Sequence, residues 1–499
     1  MAEQCFLAVD LGAESGRVVA GLFDGQRVRL EELHRFPNGP VPVAGTMRWD
    51  VLRLWSEVQS GLAKAAHTLG NQAISVGVDT WGVDYALLTR HGEMLGHPYN
   101  YRDPRTDGVM DWSFTQMPRR EIFAQTGLQF MPINTLYQLI AMQQTQPALL
   151  GLADRFLMMP DLFHWLLCGS QVVEFTNATT SQCLNATTSR WAFDVLRRFD
   201  LPAAMFPEVV SPGTNLGKLR GDVADRCRLP RLDVVAPATH DTGSAVAAIP
   251  TERTGSARWA YISSGTWSLM GLELPHPVLS ARALELNLTN EGGIDGTWRL
   301  LKNIMGLWLV QECRRAFERG GRSFSYAELA RLAAAAKPFC AFIDPDSPRF
   351  LNPADMPTEI RNWCQARGQS PPGSEGELVR CCLESLALKY RLVLSWLEEL
   401  SETPVEVVHI VGGGSQNELL NQFTANACGR SVAAGPIEAT ALGNVLVQAR
   451  TAGAVTTLGE IRQVVRASSS IVHYEPREQS AWNAAYAKFR EVISLPDGT

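Results

Sequence analysis

The sequence predicts an α/β protein of two lobes, each built on a mixed β-sheet. Three observations carry this reading. At 499 residues the chain is too long for one ordinary hydrophobic core, so two large domains are expected. The segment 6–89 reads as three strands, a helix and a further strand, which is a mixed sheet and not a repeating βαβ unit. Finally, "AVDLGAESGRVVA" at 8–20 and "YISSGTWSLMGLE" at 261–273 share one layout: an apolar strand, a polar Gly-containing turn with hydroxyls, and a second apolar strand. Hairpins with Gly turns are common, yet the repeat points to internal duplication and to a second domain starting near residue 250.

In order along the chain, "FLAVDLG" is an apolar strand ending in Asp10 and Gly12, "RVVAGLF" is its hairpin partner, and "RVRLEELHRF" alternates as a third strand. "WDVLRLWSEVQSGLAKAAHTL" then sets Val51, Leu54, Trp55, Val58 and Leu62 at helical spacing behind Asp50, an N-cap residue type. "AISVGVDTWGVDYALLT" returns to strand character and ends its run in Asp79. The stretch from about 110 to 210 is mostly helical with loops. "VEVVHIVGGGSQNELLNQFTANACG" reads as strand, Gly run and helix, and "SAWNAAYAKFREVI" as a terminal helix.

Composition narrows the function classes. An apolar fraction of 45% with 19% charged residues describes a soluble globular protein. The net charge of −6 and the lack of a Lys/Arg block speak against nucleic acid as a partner. No apolar run is long enough to span a bilayer, and the N-terminus lacks the pattern of a secretory signal. The expected setting is cytoplasmic, with no membrane partner. The 10 cysteines form no CxxC and no zinc-like spacing, so most are expected to be small buried hydrophobes.

Chemistry is signalled by "PATHDTGSAV" at 237–246, where a strand ends and a helix begins. Loops at the carboxyl ends of strands hold the chemistry of open α/β proteins. Taken alone, Asp241 reads first as an N-cap and second as a catalytic group. Three Gly/hydroxyl turns favour phosphate binding, because backbone N–H groups close around an anion where no side chain obstructs. No GxxxxGK[ST] occurs; "GTNLGKL" at 213–219 has the wrong spacing. "GGGSQN" at 412–417 approaches a dinucleotide fingerprint but carries Asn417 in place of the last Gly, which keeps an NAD-dependent oxidoreductase as a rival. Asp10 at a strand end suits a divalent cation held through water, and Asp241 suits removal of a hydroxyl proton.

The motifs "VDLGAESGR", "HDTGSAV", "SSGTWSL", "VGGGSQN" and "EATALGN" occur in the order found in the FGGY carbohydrate kinases, which the chain resembles over about residues 5–485. "VDTWGVDYALL", "YRDPRT", "NTLYQL", "LTNEGG" and "LKNIMGLWL" resemble the branch of that family acting on L-rhamnulose. The resemblance implies two duplicated ribonuclease H-like lobes of the actin-like ATPase type around a central cleft. It places an N-terminal lobe at 1–248, with sugar binding and the base, and a C-terminal nucleotide-binding lobe at 249–485. It further implies ATP and Mg²⁺ as cofactors, O1 of L-rhamnulose as acceptor, and a monomer or homodimer. Asp241 becomes the catalytic base. Gly82, His240, Asp241, Thr242 and Asn303 become sugar contacts, with Asp84 and Arg102 as further candidates. Ala13, Glu14, Ser15, Gly16, Arg17, Thr266, Gln311 and Gly413 become ATP contacts, and Asp10 lies near the metal. The Lys and Trp that the family carries downstream of the first sugar-contacting strand are not evident in "MPINTLYQLIAM". Gly82 and Val83 follow Trp81 where a glycerol kinase has an Arg–Glu pair, so glycerol is not the expected substrate. Another ketose, such as L-fuculose or xylulose, and a non-catalytic actin-like ATPase remain as alternatives.

Overall fold

The first apolar run becomes β1 (Gln4–Leu11), buried from Cys5 onward. It pairs antiparallel with β2 (Ser15–Phe23), which pairs antiparallel with β3 (Val28–Pro37). Helix α1 (Val51–Leu69) starts at Asp50, whose carboxylate accepts the Arg53 N–H, and buries Val51, Leu54, Val58 and Leu62. Trp55, the remaining apolar position of that stripe, is half-buried. β4 (Ala73–Thr80) then lies parallel to β1. β5 (Thr214–Lys218) and β6 (Asp233–Ala236) complete a six-stranded sheet in the order β5-β6-β4-β1-β2-β3. Buried on both faces, β1 and β4 are largely apolar runs, interrupted by Asp10 in the first and by Ser75, Asp79 and Thr80 in the second. The structure, a computed structural model, describes residues 3–495, so the first two residues of the expected 1–248 lobe lie outside it.

A second sheet repeats the motif. β7 (Trp259–Ser264) and β8 (Trp267–Leu274) form an antiparallel hairpin. With β9 (Thr289–Gly292), β10 (Trp298–Met305), β11 (Val407–Val411), β12 (Ser431–Ala434) and β13 (Val472–Tyr474) the order is β9-β10-β8-β7-β11-β12-β13. β11 runs parallel to β7 as β4 does to β1, so the two hairpins recognised in the sequence head equivalent sheets. The middle of the chain is largely helical, as its sequence indicates. All ten cysteines are free thiols, and among them only Cys340 is exposed.

The chain forms two compact units, neither contiguous. One comprises Met1–Thr254, Glu273–Leu300 and Ala439–Ser469; the other Gly255–Leu272, Leu301–Glu438 and Ser470–Thr499. Within the first unit, α2 (Asp241–Ala247) packs against α3 (Ala439–Thr451), the helix that begins in "EATALGN". α3 reaches the sheet through polar side chains: Gln448 donates to the Leu7 carbonyl (2.9 Å) and accepts from Ser75 (2.7 Å). α4 (Leu458–Ser468) contributes Arg462, fully buried, whose guanidinium bonds both carboxylate oxygens of Glu273 at 3.0 and 2.8 Å and the Val246 carbonyl of α2 at 3.3 Å. Removing either partner would strand a buried charge.

Close approach of α2 and α3 depends on Gly443, where an added methyl group would collide with the Ser244 carbonyl oxygen. Gly443→Ala is therefore expected to lower stability by about 1–3 kcal/mol through overpacking. Gly39→Ala, where the added methyl meets nothing within 4 Å, should leave stability nearly unchanged. Thermal unfolding of the two variants beside the parent chain checks this; equal melting temperatures would mean that α3 rides over the added methyl at no cost.

Candidate active site

Asp241 is the first residue of α2, and His240 is the N-cap, with no side-chain capping bond. The segment before it is pinned from beneath by Glu174, a fully buried carboxylate. Glu174 accepts from the Thr239 N–H (3.0 Å) and hydroxyl (2.6 Å) and from the Thr176 N–H (2.9 Å) and hydroxyl (2.6 Å). The Thr176 hydroxyl in turn accepts the His240 N–H at 3.1 Å. Thr80 at the end of β4 bridges to the same turn, donating to the Thr239 carbonyl at 2.9 Å. The contacts of the Asp241 carboxylate fall on Oδ1: the Thr242 N–H at 2.5 Å, the Thr242 hydroxyl at 3.2 Å and His240 Nε2 at 3.4 Å. Oδ2 has no partner among the described residues, and the side chain keeps 31% exposure. One oxygen is held and the other is available.

Two further carboxylates stand beside this turn. Asp10 near the end of β1 is in register with Asp79 near the end of β4. Asp10 Oδ2 accepts from Arg17 Nε (2.9 Å) and Nη2 (2.8 Å), an ion pair across the β1–β2 ladder. Asp79 is fully buried; Asn444 of α3 donates to its Oδ2 at 2.6 Å, and its Oδ1 has no hydrogen-bond partner. Burial, then the nearby Asp10 charge, holds the Asp79 carboxyl well above the ordinary range, with Asp241 adding to the effect. Burial raises Asp241 as well; His240 opposes this and Asp10 reinforces it. Among the described residues no three His, Cys, Asp or Glu side chains form a ready metal cage. Mg²⁺ needs only one or two carboxylates and keeps its waters, so the Asp10–Asp79 pair with its unengaged buried oxygen fits that ion.

The "TWGVD" turn is shaped by packing. Val83 adopts φ 65°, a strained value for a β-branched residue. The Thr180 hydroxyl accepts the Val83 N–H at 2.9 Å, and the Thr135 hydroxyl donates to the Val83 carbonyl at 2.6 Å. A Cβ on Gly82 would lie 2.9 Å from the Thr180 methyl. Asp84 is buried and receives four donors: the indoles of Trp49 (2.6 Å) and Trp81 (3.0 Å), the Tyr101 N–H (3.2 Å) and Gln138 Nε2 (2.9 Å). It is the knot that fixes this turn and has no oxygen left for a ligand. The Arg102 guanidinium lies over the Tyr101 ring at 5.3 Å.

Gly12 to Glu14 form the turn between β1 and β2, closed by the Gly12 N–H on the carbonyl of Ser15 at the start of β2 at 2.9 Å, with Glu14 exposed. Gly16 is buried against the Phe36 ring, and Arg17 faces Asp10. The second unit holds the remaining expected residues. The Thr266 carbonyl accepts the N–H groups of Gly306 (3.2 Å) and Trp308 (3.1 Å), seating the β7–β8 turn on the start of the helix Trp308–Arg319. That helix carries Gln311, whose Oε1 is buried without a hydrogen-bond partner among the described residues. Gly413 is exposed, and a Cβ there would meet nothing within 4 Å, while Gly414 packs on Ser264. Asn303 is half-buried on β10. Glu174, Glu291, Arg299 and Asn444 were not singled out in the sequence. Glu291 and Asn444 do lie inside "LTNEGG" and "EATALGN", and that was the available signal.

Two family models match the chain: FGGY family of carbohydrate kinases, N-terminal domain, over residues 5–248, and the C-terminal domain of the same family over 260–452. A protein named rhamnulokinase from Bacteroides thetaiotaomicron is 45% identical over 491 residues, covering 98% of this chain and 100% of its own. One of the same name from Bacillus subtilis is 41% identical over 473 residues, covering 95% and 96%. Among solved structures, xylulose kinase from Lactobacillus acidophilus superposes with TM-score 0.81 at 13% identity over 98% of both chains. Plasmodium falciparum glycerol kinase with ADP gives 0.77 at 15% identity over 99% of both. At these identities the superpositions establish the fold alone.

Burial pushes Asp84 up to about 6, although Gln138 and the two indoles act against it. Folding thus binds a proton more tightly here than the unfolded chain does at its ordinary value of about 3.9. The associated stability is present below about pH 4 and is lost as pH rises through about 6. Asp84→Asn cannot ionise, so the stability gap between variant and parent should move in the variant's favour across that window. Denaturant midpoints at pH 4, 5, 6 and 7 measure it. A gap independent of pH would show that Asp84 titrates alike in both states.

Proposed function

The chain belongs to the FGGY family of carbohydrate kinases, and from that premise we propose that it transfers the γ-phosphoryl group of ATP to O1 of L-rhamnulose, giving L-rhamnulose 1-phosphate and ADP. The observation that carries the reading is Asp241, with Oδ1 held by the Thr242 N–H and hydroxyl, His240 Nε2 3.4 Å away, and Oδ2 unengaged at the head of α2. Oδ2 accepts the O1 proton as the new O1–P bond forms and the bond from the γ-phosphorus to the ADP oxygen breaks. Gly82, His240, Thr242 and Asn303 are assigned to the sugar. Ala13 to Arg17, Thr266, Gln311 and Gly413 are assigned to ATP. The N-terminal lobe, 1–248, supplies the base and most sugar contacts, and 249–485 most of the nucleotide contacts. Asp10, with Asp79, would hold Mg²⁺ through water; when bound, the ion offsets phosphate charge. No helix among the described residues is long and apolar enough to cross a membrane, and the setting we assign is cytoplasmic, as a monomer or homodimer.

The deciding experiment is ADP release with L-rhamnulose, L-fuculose, L-xylulose, D-xylulose and glycerol under one set of conditions. L-rhamnulose should give the highest kcat/KM, L-fuculose a lower one, and glycerol almost none. A missing C6 methyl alone should cost only ~1–3 kcal/mol in transition-state binding. Inverting a hydroxyl that the site bonds should cost more, because buried polar groups lose their partner. If D-xylulose leads, the family stands and the substrate assignment falls.

Asp241→Asn keeps the shape of the side chain and removes its basicity. It should lower kcat by ~10²–10⁴-fold while the KM values for sugar and ATP change little. Since the Asp241 carboxyl is raised, and only its deprotonated form accepts the proton, the acid limb of the parent kcat/KM profile should lie above the ordinary aspartate value of about 3.9. Near-parental turnover in the variant would return Asp241 to a structural role.

A further inference from the structure

His240 shares its ring with two groups that lie on the side opposite Asp241. Arg299 Nη2 approaches His240 Nδ1 at 3.1 Å, and Glu291 Oε2 lies 3.3 Å from the same nitrogen. Arg299 and Glu291 are 3.2 Å apart, with side-chain exposures of 0% and 5%. Arg299 Nε donates to the Gly292 carbonyl at 2.8 Å, which fixes the plane of the guanidinium. Its Nη1 is buried with no hydrogen-bond partner among the described residues. Such an arrangement is costly for packing alone, since a buried cation with an unmet donor could be replaced by an apolar side chain.

A guanidinium has donors only, so a ring nitrogen bonded to it must accept. Where Arg299 donates to it, His240 Nδ1 accepts and the imidazole proton sits on Nε2, 3.4 Å from Asp241 Oδ1; the Glu291 carboxylate, 3.3 Å from Nδ1, is the acceptor that a proton on Nδ1 would meet instead. Glu291 neutralises Arg299, so the cation does not stand alone beside the base. We propose that Arg299 and Glu291 are positioning residues that hold His240 as the Nε2–H tautomer. The tautomer turns an N–H towards Asp241 Oδ1, beside the two donors of Thr242, and leaves Oδ2 as the proton acceptor. Neither residue touches substrate in this role; both act through His240. The inference rests on Asp241 being the base of the proposed kinase reaction.

The first test needs no activity. In the chain labelled with ¹⁵N-histidine, the His240 signals are assigned by their loss in His240→Gln. The expected pattern at neutral pH is a protonated Nε2 and an unprotonated Nδ1. A proton on Nδ1, alone or with Nε2, overturns the proposal whether or not the kinase reading holds. The second test uses Arg299→Lys, which keeps charge and donor, and the double variant Glu291→Gln/Arg299→Gln, which leaves no unpaired buried charge. Supporting groups of this kind are worth on the order of 10–100-fold. The double variant should lose that much in kcat, with the KM for ATP within about twofold, and its His240 should shift towards a protonated Nδ1. Arg299→Lys should recover most of the rate. Parental kcat in the double variant, or a lost rate with His240 still protonated on Nε2, refutes the positioning role. A parent chain with the expected tautomer but no sugar-dependent ADP release would instead refute the proposed function.

Discussion

Carboxylates repel, and this fold places Asp10 and Asp79 opposite each other on neighbouring parallel strands, with Asp241 at the head of the adjoining helix. Much of the first unit answers that one constraint. Arg17 neutralises Asp10 across the β1–β2 ladder, Asn444 donates to Asp79, and Thr242 donates to Asp241 with the His240 ring beside it. Each partner comes from a different element, so the carboxylates are in place only when β2, α3 and α2 are all docked. Burial, with the nearby Asp10 charge, keeps the Asp79 carboxyl well above its ordinary range.

The same logic explains why α3, far along the chain, is part of the first unit. Its small residues let it lie against α2, and its amides replace backbone partners that the sheet cannot supply. Asn444 reaches the Gly77 carbonyl at 3.2 Å and Gln448 the Leu7 carbonyl at 2.9 Å. Gly77 has no room for a side chain here, since a Cβ would lie 2.9 Å from the Val235 carbonyl oxygen. Packing at Gly77 and Gly443 and charge balance at Asp79 are therefore one arrangement. Glu174 and Asp84 play the complementary role of saturated buried acceptors. Glu174 gathers five donors and Asp84 four, and each thereby fixes a turn that carries proposed sugar contacts.

Asp84 shows how a strand-end carboxylate can look catalytic in sequence and prove structural in space. Like Asp10 and Asp241 it lies at or just beyond the end of a strand, and no local pattern separates the three. What separates them is coordination: Asp84 has both oxygens committed, whereas Asp241 has one and Asp79 one.

The local sequence determined the β1–β2 meander, α1 with its Asp50 cap, and the paired hairpins at 8–20 and 261–273. Their signals are periodicity, capping chemistry and Gly turns, which act over a few residues. The ordered motifs also carried the family, the proposed base and the proposed nucleotide turns. Tertiary structure alone decided which carboxylates keep an open oxygen, that α3 and Glu273–Leu300 belong with the first unit, and that Arg299 and Glu291 stand behind His240. Those facts depend on residues more than fifty positions apart meeting within hydrogen-bond distance, as His240 and Arg299 do. Spacing along a chain encodes which face a side chain occupies; only the docking of distant elements decides which charge it meets there.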